Sequence, residues 1–270
     1  MKDETLQLLC SRINDNSLTK EQKQSKVCQD IFMAKIGANE RLSHKIVFKG
    51  GVIINALSFG MRGFTKDIDF DLIKYPLTEN GIKSLIEQIN YSEPYQNIVI
   101  RIKNIKSLNH KNYKGKRAEL SFTDGKDIFS LLVDIGVFKP LIKKNVFIKY
   151  DLIFSNSITV LTNPIERIVA EKLSTFAIFG LDNTRNKDFF DASYLINAYS
   201  IDKCTVLRIL SKLLVDDYHY FQNIDLALDT IKEVLENKEY ELDLIKSEKN
   251  WNHINVANST KELIDFIESL

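Results

Sequence analysis

The chain has 270 residues, of which 44% are hydrophobic and 27% charged, with a formal net charge of +1. That length supports one large domain or two modest ones with real cores. The near-neutral balance leaves no global field for a polyanion, so nucleic-acid binding would need a local basic patch. No uncharged apolar run is long enough to cross a bilayer, and the opening "MKDETLQLLCSRIND" carries acids and lacks the apolar core of a secretion signal, which points to the cytoplasm. Cys10, Cys28 and Cys204 have no paired spacing, which argues for buried or inert thiols and against a disulfide framework or a zinc site.

Residues 1 to about 40 carry Leu6, Leu9, Ile13, Val27, Ile31 and Phe32 near helical spacing. "KIVFKG" then reads as a short strand ending in glycine, Val52 to Phe59 as a helix, and "KDIDFDLIKY" as a strand. "ENGIKSLIEQIN" suits a helix and "NIVIRIKNI" a strand. "KRAELSFTD" and "IFSLLVDIGVF" suit paired strands around the turn dipeptide Asp124-Gly125. From there the chain turns helical. "NPIERIVAEKLSTFAIFG" has Asn163 as N-cap, Pro164 at the first helical position, Glu166 three residues after the cap and Gly180 as a stop. Helical patterns continue in "NKDFFDASYLINAY", "DKCTVLRILSKLL", "IDLALDTIKEVLEN" and "STKELIDFIESL". The expected architecture is α+β: residues 1–160 form an α/β domain with a mixed sheet, flanking helices and N-terminal helices, and residues 161–270 a helical domain.

The acids of the second strand alternate with apolar residues, so Asp67, Asp69 and Asp71 share one face while Ile68, Phe70 and Leu72 share the other. Like charges this close repel and call for a cation or for water. A hard divalent ion relieves them, and Mg²⁺ takes one or two carboxylates together with substrate phosphates. The competing reading is the solvated outer face of an edge strand. Asp134, alone in "FSLLVDIGVF", needs a partner if that strand is buried, and beside the Asp67 strand it completes a three-carboxylate cluster able to hold two metals. Gly50 and Gly51, between strand and helix, let backbone amides approach phosphate, although glycine pairs also serve as plain turns. The stretch "RIKNIKSLNHKNYKGKR" has no acid; Arg101, Lys103, Lys106, Lys111, Lys114, Lys116 and Arg117 either contact a polyanion such as RNA or protect a hairpin edge.

"KGGVIINALSFGMRGFTKDIDF" resembles the first motif of the nucleotidyltransferase superfamily: a glycine pair, a helix, then Asp-x-Asp on the next strand. With "LLVDIGVFKP" and "IERIVAEKLSTFAIFGLDNTRNKDFFDASYL" the resemblance narrows to the AbiEii-type nucleotidyltransferase toxins and spans roughly residues 45 to 200. It implies a nucleotidyltransferase-like fold with Asp67 and Asp69 as metal ligands, Asp134 as third carboxylate, and Gly50 and Gly51 against the nucleotide phosphates. It further implies Lys172 on the triphosphate or on developing negative charge, and Asp188, with Asp191 a turn on, as the later acidic motif. Lys172 lies on a mainly apolar helix face and must snorkel to solvent or reach a polar site; Asp188 and Asp191 alternatively complement a helix dipole. The chain departs from many superfamily members in having Val52 after the glycine pair, where a serine or threonine hydroxyl would meet phosphate.

The implied activity is transfer of a nucleoside monophosphate from an NTP to an acceptor hydroxyl with Mg²⁺ or Mn²⁺ and release of pyrophosphate. The implied setting is a toxin acting on RNA, such as the 3′ end of tRNA, with a cognate antitoxin. Protein nucleotidylylation of the AMPylation type and a non-catalytic nucleotide- or partner-binding module are the alternatives.

Overall fold

The computed structural model describes residues 4–110, 113–140, 142–154 and 156–270, of which the side chains of 109, 110, 113 and 114 are left aside. Two compact units emerge: residues 1–139 with 145–162, and residues 140–144 with 163–270.

Among the described residues the first unit is built on a seven-stranded mixed sheet of order β3-β4-β5-β2-β1-β7-β6. Its strands are β1 (Ile46–Lys49), β2 (Asp67–Leu72), β3 (Val99–His110), β4 (Tyr113–Thr123), β5 (Ile128–Val137), β6 (Val146–Tyr150) and β7 (Ile158–Thr162). The expected hairpin around Asp124-Gly125 joins β4 to β5, with Phe122 opposite Phe129. β2 then runs parallel to β5 and antiparallel to β1. The period-2 pattern decides which face is core: Ile68, Phe70, Ala118, Leu120, Phe122, Leu131, Val133 and Ile135 are all buried. The in-between positions Arg117, Glu119, Ser130 and Asp134 are polar and only partly buried or exposed. β6 and β7, which the sequence pattern does not announce, extend the sheet through a parallel pairing of β7 with β1.

The first unit's helices are α1 (Leu6–Ser11), α2 (Lys20–Gly37), α3 (Glu40–Ser43), α4 (Gly50–Leu57) and α5 (Glu79–Asn90). A reciprocal capping box fixes the start of α2, where Gln22 N–H donates to Thr19 Oγ1 at 3.3 Å and Thr19 N–H to Gln22 Oε1 at 2.7 Å. Its buried stretch places Phe32 6.0 Å from Phe70 between ring centroids, seating the helix on the apolar side of β2. α4 begins at Gly50 and ends at Leu57, two residues earlier at each end than the pattern suggests; Phe59 lies beyond it at φ 52°.

The second unit is helical: α6 (Ile165–Phe179), α7 (Asn186–Ala198), α8 (Lys203–Ser211), α9 (Ile224–Glu236), α10 (Lys238–Lys246) and α11 (Val256–Glu268). Gly180 stops α6 at φ 53° as expected. Its N-cap is Pro164 rather than Asn163, and Asn163 is buried with neither amide atom hydrogen-bonded, so the anticipated side-chain cap does not form. Glu166, in the first turn, is bound instead by Lys143 Nζ at 2.6 Å.

Candidate functional site

The β register gathers the acids of the first unit. Asp69 sits opposite Asp134 across the parallel β2–β5 pair, Arg117 of β4 lies opposite Asp134, Lys106 of β3 opposite Arg117, and Lys49 of β1 opposite Asp69. Residues in register share a face, so Lys106, Arg117, Asp134, Asp69 and Lys49 form one row across five strands, with Asp67 two residues along β2 from Asp69. Three carboxylates and three cations thus share the polar face of the sheet.

The neighbouring loop and helix explain how Asp69 is held. Gly50 opens α4 at φ 70°, a conformation that disfavours any side chain, and a Cβ there would lie 2.1 Å from Asp69 Oδ2. A Cβ on Gly51 would lie 2.6 Å from Thr65 Cγ2 and 2.9 Å from an Arg62 guanidinium nitrogen. The two glycines therefore let the Asp69 carboxylate and the 58–66 loop close onto the start of α4. The N-cap residue, Lys49, makes no side-chain cap bond, and the Asp69 carboxylate approaches the positive end of the helix instead. The loop is tied down from α2, where Gln29 Nε2 donates to Thr65 O at 2.6 Å and Ser25 Oγ to Lys66 O at 3.2 Å.

Asp71 differs from its two neighbours. It is 3% exposed, and Lys49 Nζ lies 2.8 Å from its Oδ1, so it is a buried ion-pair partner rather than a solvated acid. Asp134 also has a defined partner: Arg117 Nε and Nη2 donate to its two oxygens, each at 2.6 Å. This two-pronged bond raises the Arg117 pKa; burial opposes the rise, and the negative charges of Asp134, Asp67 and Asp69 add to it.

The chemistry of the donors suits a hard divalent ion, since Asp67 and Asp69 present carboxylate oxygens on one face beside an uncapped helix start. Among the described residues, however, no three His, Cys, Asp or Glu side chains are already set as a cage. The carboxylate oxygens of Asp67 and Asp69 suit such an ion by their chemistry, while both oxygens of Asp134 are bonded to Arg117.

The basic run divides by strand parity. Arg101, Lys106 and Arg117 stand on the carboxylate face, and Lys103, at the bulge between Ile102 and Asn104, reaches Glu119 at 3.4 Å and Ser130 Oγ at 2.7 Å on that same face. Lys116 stands on the opposite face and donates to Ser107 Oγ at 2.9 Å. Lys111 falls outside the described residues, and Lys114 is placed only by its backbone.

In the second unit Lys172 of α6 meets the later acids. Its Nζ lies 2.5 Å from Asp188 Oδ1 and 2.9 Å from Asp191 Oδ2, and both carboxylates are fully buried on α7. Arg185 Nε binds the other oxygen of Asp188 at 2.6 Å, and the indole N–H of Trp251 donates to Asp191 Oδ1 at 3.1 Å. Burial pushes the Asp188 carboxyl upward, but Lys172 and Arg185 outweigh it and hold it below the ordinary value. Burial likewise lowers Lys172, and Asp191 and Asp188 more than restore it, leaving a firmly charged amine. Asp191 is thus a buried partner of Lys172 and Trp251, in a cluster whose second cation, Arg185, lies at the surface. Arg185 and Trp251 are the members that the pattern left unassigned. Arg185 stands three residues before Asp188, a spacing that offered a signal, whereas Trp251 comes from 60 residues beyond Asp191 and offered none.

The comparisons with known proteins follow this geometry. The family model described as "Nucleotidyl transferase AbiEii toxin, Type IV TA system" matches residues 32–259. No curated protein matches the sequence. Among solved structures, JHP933 from Helicobacter pylori aligns with a TM-score of 0.51 at 18% identity, covering 93% of this chain and 92% of that one, a likeness of fold. An antigenic nucleotidyltransferase-like protein from Paracoccidioides brasiliensis aligns with a TM-score of 0.42 at 13% identity over 81% of this chain and 93% of that one. With the matched span covering most of its length and both motif regions within it, the chain belongs to the AbiEii nucleotidyl transferase toxin family of type IV toxin–antitoxin systems.

Proposed function

We propose that the protein transfers a nucleoside monophosphate from an NTP to an acceptor hydroxyl on RNA, such as the 3′ end of a tRNA, in the cytoplasm and under control of a cognate antitoxin. The observation that carries the reading is the placement of Asp67 and Asp69 on one strand face, with Asp69 folded against the glycine-built start of α4.

Asp67 and Asp69 would hold Mg²⁺ or Mn²⁺, joined by Asp134. When bound, such an ion offsets the charge of the triphosphate and of the oxygens that exchange at phosphorus. The chain's own groups do the rest. The amides of Gly50 and Gly51 face phosphate oxygens from the positive end of α4, and this backbone contact stands in for the hydroxyl that Val52 lacks. In this reading Asp134 helps to activate the acceptor hydroxyl. The family resemblance assigns Lys172 to triphosphate charge, and within the helical unit Asp188 and Asp191 keep its amine protonated. Positioning and electrostatics then account for most of the barrier reduction.

RNA is favoured as acceptor because Arg101, Lys103 and Lys106 are exposed and lie on the same sheet face as the carboxylates, the arrangement a phosphate backbone requires. The test is incubation with each labelled NTP and either total RNA or total protein, in parallel with a chain carrying Asp67→Ala and Asp69→Ala. Label on RNA that vanishes in the variant supports the reading. Label on protein alone shows nucleotidylylation of a protein, and no label with either acceptor points to a binding module.

A further inference from the structure

The ion pair between Arg117 and Asp134 occupies both oxygens of the carboxylate that the proposed chemistry needs, and this inference rests on that reading of the site. A carboxylate gripped at 2.6 Å on each oxygen by a planar guanidinium has one lone pair of each oxygen taken and its charge offset, which makes it a weaker ligand for a divalent ion. A cation and Arg117 therefore compete for Asp134. The arginine is not trapped: its side chain is 41% exposed while that of Asp134 is 18% exposed. Nor is it remote, since its β4 position lies one strand from Asp134 and two from Asp69.

We propose that Arg117 is a positioning residue that couples ion binding to triphosphate binding. In the resting chain it stands in for the ion at Asp134. When a triphosphate arrives, the guanidinium transfers from carboxylate to phosphate oxygens, an exchange between two anions that both accept its fork of donors, and Asp134 becomes available to the ion. No bond is made or broken covalently; one charge-assisted pair replaces another. The device keeps the site from filling with metal before substrate is present, and it makes the metal–triphosphate pair the species that the site takes up. By linkage, each ligand then strengthens the other.

The row of residues adds a reason for this direction of travel. Lys106 flanks Arg117 on the side away from Asp134, so the guanidinium has a like charge behind it and acids ahead of it. An incoming polyphosphate beside Asp67 and Asp69 is the other anion within its reach.

The test measures two affinities on the full chain and on Arg117→Gln and Arg117→Lys. Mn²⁺ alone is titrated by paramagnetic resonance, and premixed Mn²⁺·triphosphate, with inorganic triphosphate as the probe, by calorimetry. The expected result has opposite signs: Arg117→Gln binds Mn²⁺ alone about five- to tenfold more tightly and Mn²⁺·triphosphate more weakly by a similar factor. Arg117→Lys, which keeps the charge but loses the fork, falls between. A residue with a merely structural role would weaken both affinities or neither, and either outcome overturns the proposal. If Arg117→Gln fails to fold by circular dichroism, Arg117→Lys decides by the same opposite-sign criterion. A wild-type chain that binds neither probe overturns the metal-dependent reading itself, whereas wild-type binding with unchanged variants sinks only the coupling role.

Discussion

Asp69 and Gly50 are in contact across the β1–α4 turn: the Asp69 carboxylate fills the space that a Gly50 side chain would need, with Oδ2 only 2.1 Å from where a Cβ would stand. Gly50→Ala must therefore displace either the carboxylate or the start of α4, while also straining a backbone at φ 70°. The expected cost is about 1–3 kcal/mol of stability and about a hundredfold in nucleotidyl transfer, the scale of loss that an ångström of misplacement causes. Urea unfolding and labelled-NTP incorporation check the two parts. An alanine variant of full activity would show that the contact does not position Asp69.

Asp67→Asn and Asp69→Asn keep side-chain shape but remove charge from a crowded acidic face. Transfer activity is expected to fall by about a hundredfold or more. Stability should hold or rise slightly for Asp67→Asn, because like charges no longer repel, and fall slightly for Asp69→Asn, which gives up the charge facing the start of α4. Measuring both in one preparation separates lost chemistry from lost fold.

The split of the basic run predicts an asymmetry. Lys106→Ala should weaken tRNA binding and flatten its salt dependence, with the slope of log K against log salt changing by about 0.7–0.9 per lost phosphate contact. Lys116→Ala, on the other sheet face, should leave both unchanged. Filter binding across a salt series reads this directly, and equal effects at the two positions would refute the face assignment for RNA.

Lys172 carries a structural burden whatever else it does. Removing it leaves Asp188 and Asp191, both fully buried, facing one another with only Arg185 as a cation among the partners described above. Lys172→Met should cost about 3–5 kcal/mol. Adding Asp188→Asn should recover part of that loss, because one uncompensated charge goes with it. Thermal unfolding of the single and double variants is the measurement. If Lys172→Met is as stable as wild type, the cluster is not held by this pairing.

Asp30 gives the fold a pH signature apart from the carboxylate row. It is 1% exposed, and burial raises its pKa from 3.8 to about 6 against the opposing pull of Lys26 and the amides of Ile153 and Phe154. Below about pH 4 folded and unfolded chains both hold its proton. Between there and about pH 6 only the folded chain holds it, so this contribution to stability declines as pH rises through that window and is flat above it. The decline amounts to roughly 2–3 kcal/mol. Asp30→Asn removes the slope, so wild type should lose ground to the variant from about pH 4 to about pH 7 in urea unfolding; a constant difference would rule out the shifted titration.

The period-2 acids of β2, the Asp124-Gly125 hairpin and the Gly180 stop of α6 could be read from local pattern because local physics sets them, whereas the Asn163 cap read from the same kind of pattern does not form. The acids' neighbours could not. That Asp134 faces Asp69 was conditional on strand order, and strand order is set by long-range pairing. That Arg117 grips Asp134 depends on the β4–β5 register, which sequence spacing alone leaves open. β6 and β7 join the sheet through the long-range pairing of β7 with β1, which local pattern does not announce, and Asp71 looked like its neighbours because burial by Lys49 leaves no mark on alternation. The family resemblance supplied Lys172 and Asp188, but their mutual contact, with Arg185 and Trp251 around them, comes only with the fold.

Trp251 is the chain's single tryptophan, and its indole donates to Asp191 while packing 5.0 Å from Tyr194 between ring centroids. The protein thus carries one tryptophan emitter, which selective excitation separates from its ten tyrosines, seated against the charge cluster of the helical unit. Its emission reports on that cluster alone, so melting of the second unit can be followed without a label and set beside the circular dichroism of the β-sheet unit. The two signals parting on heating would show that the carboxylate row and the Lys172 cluster come apart in separate steps.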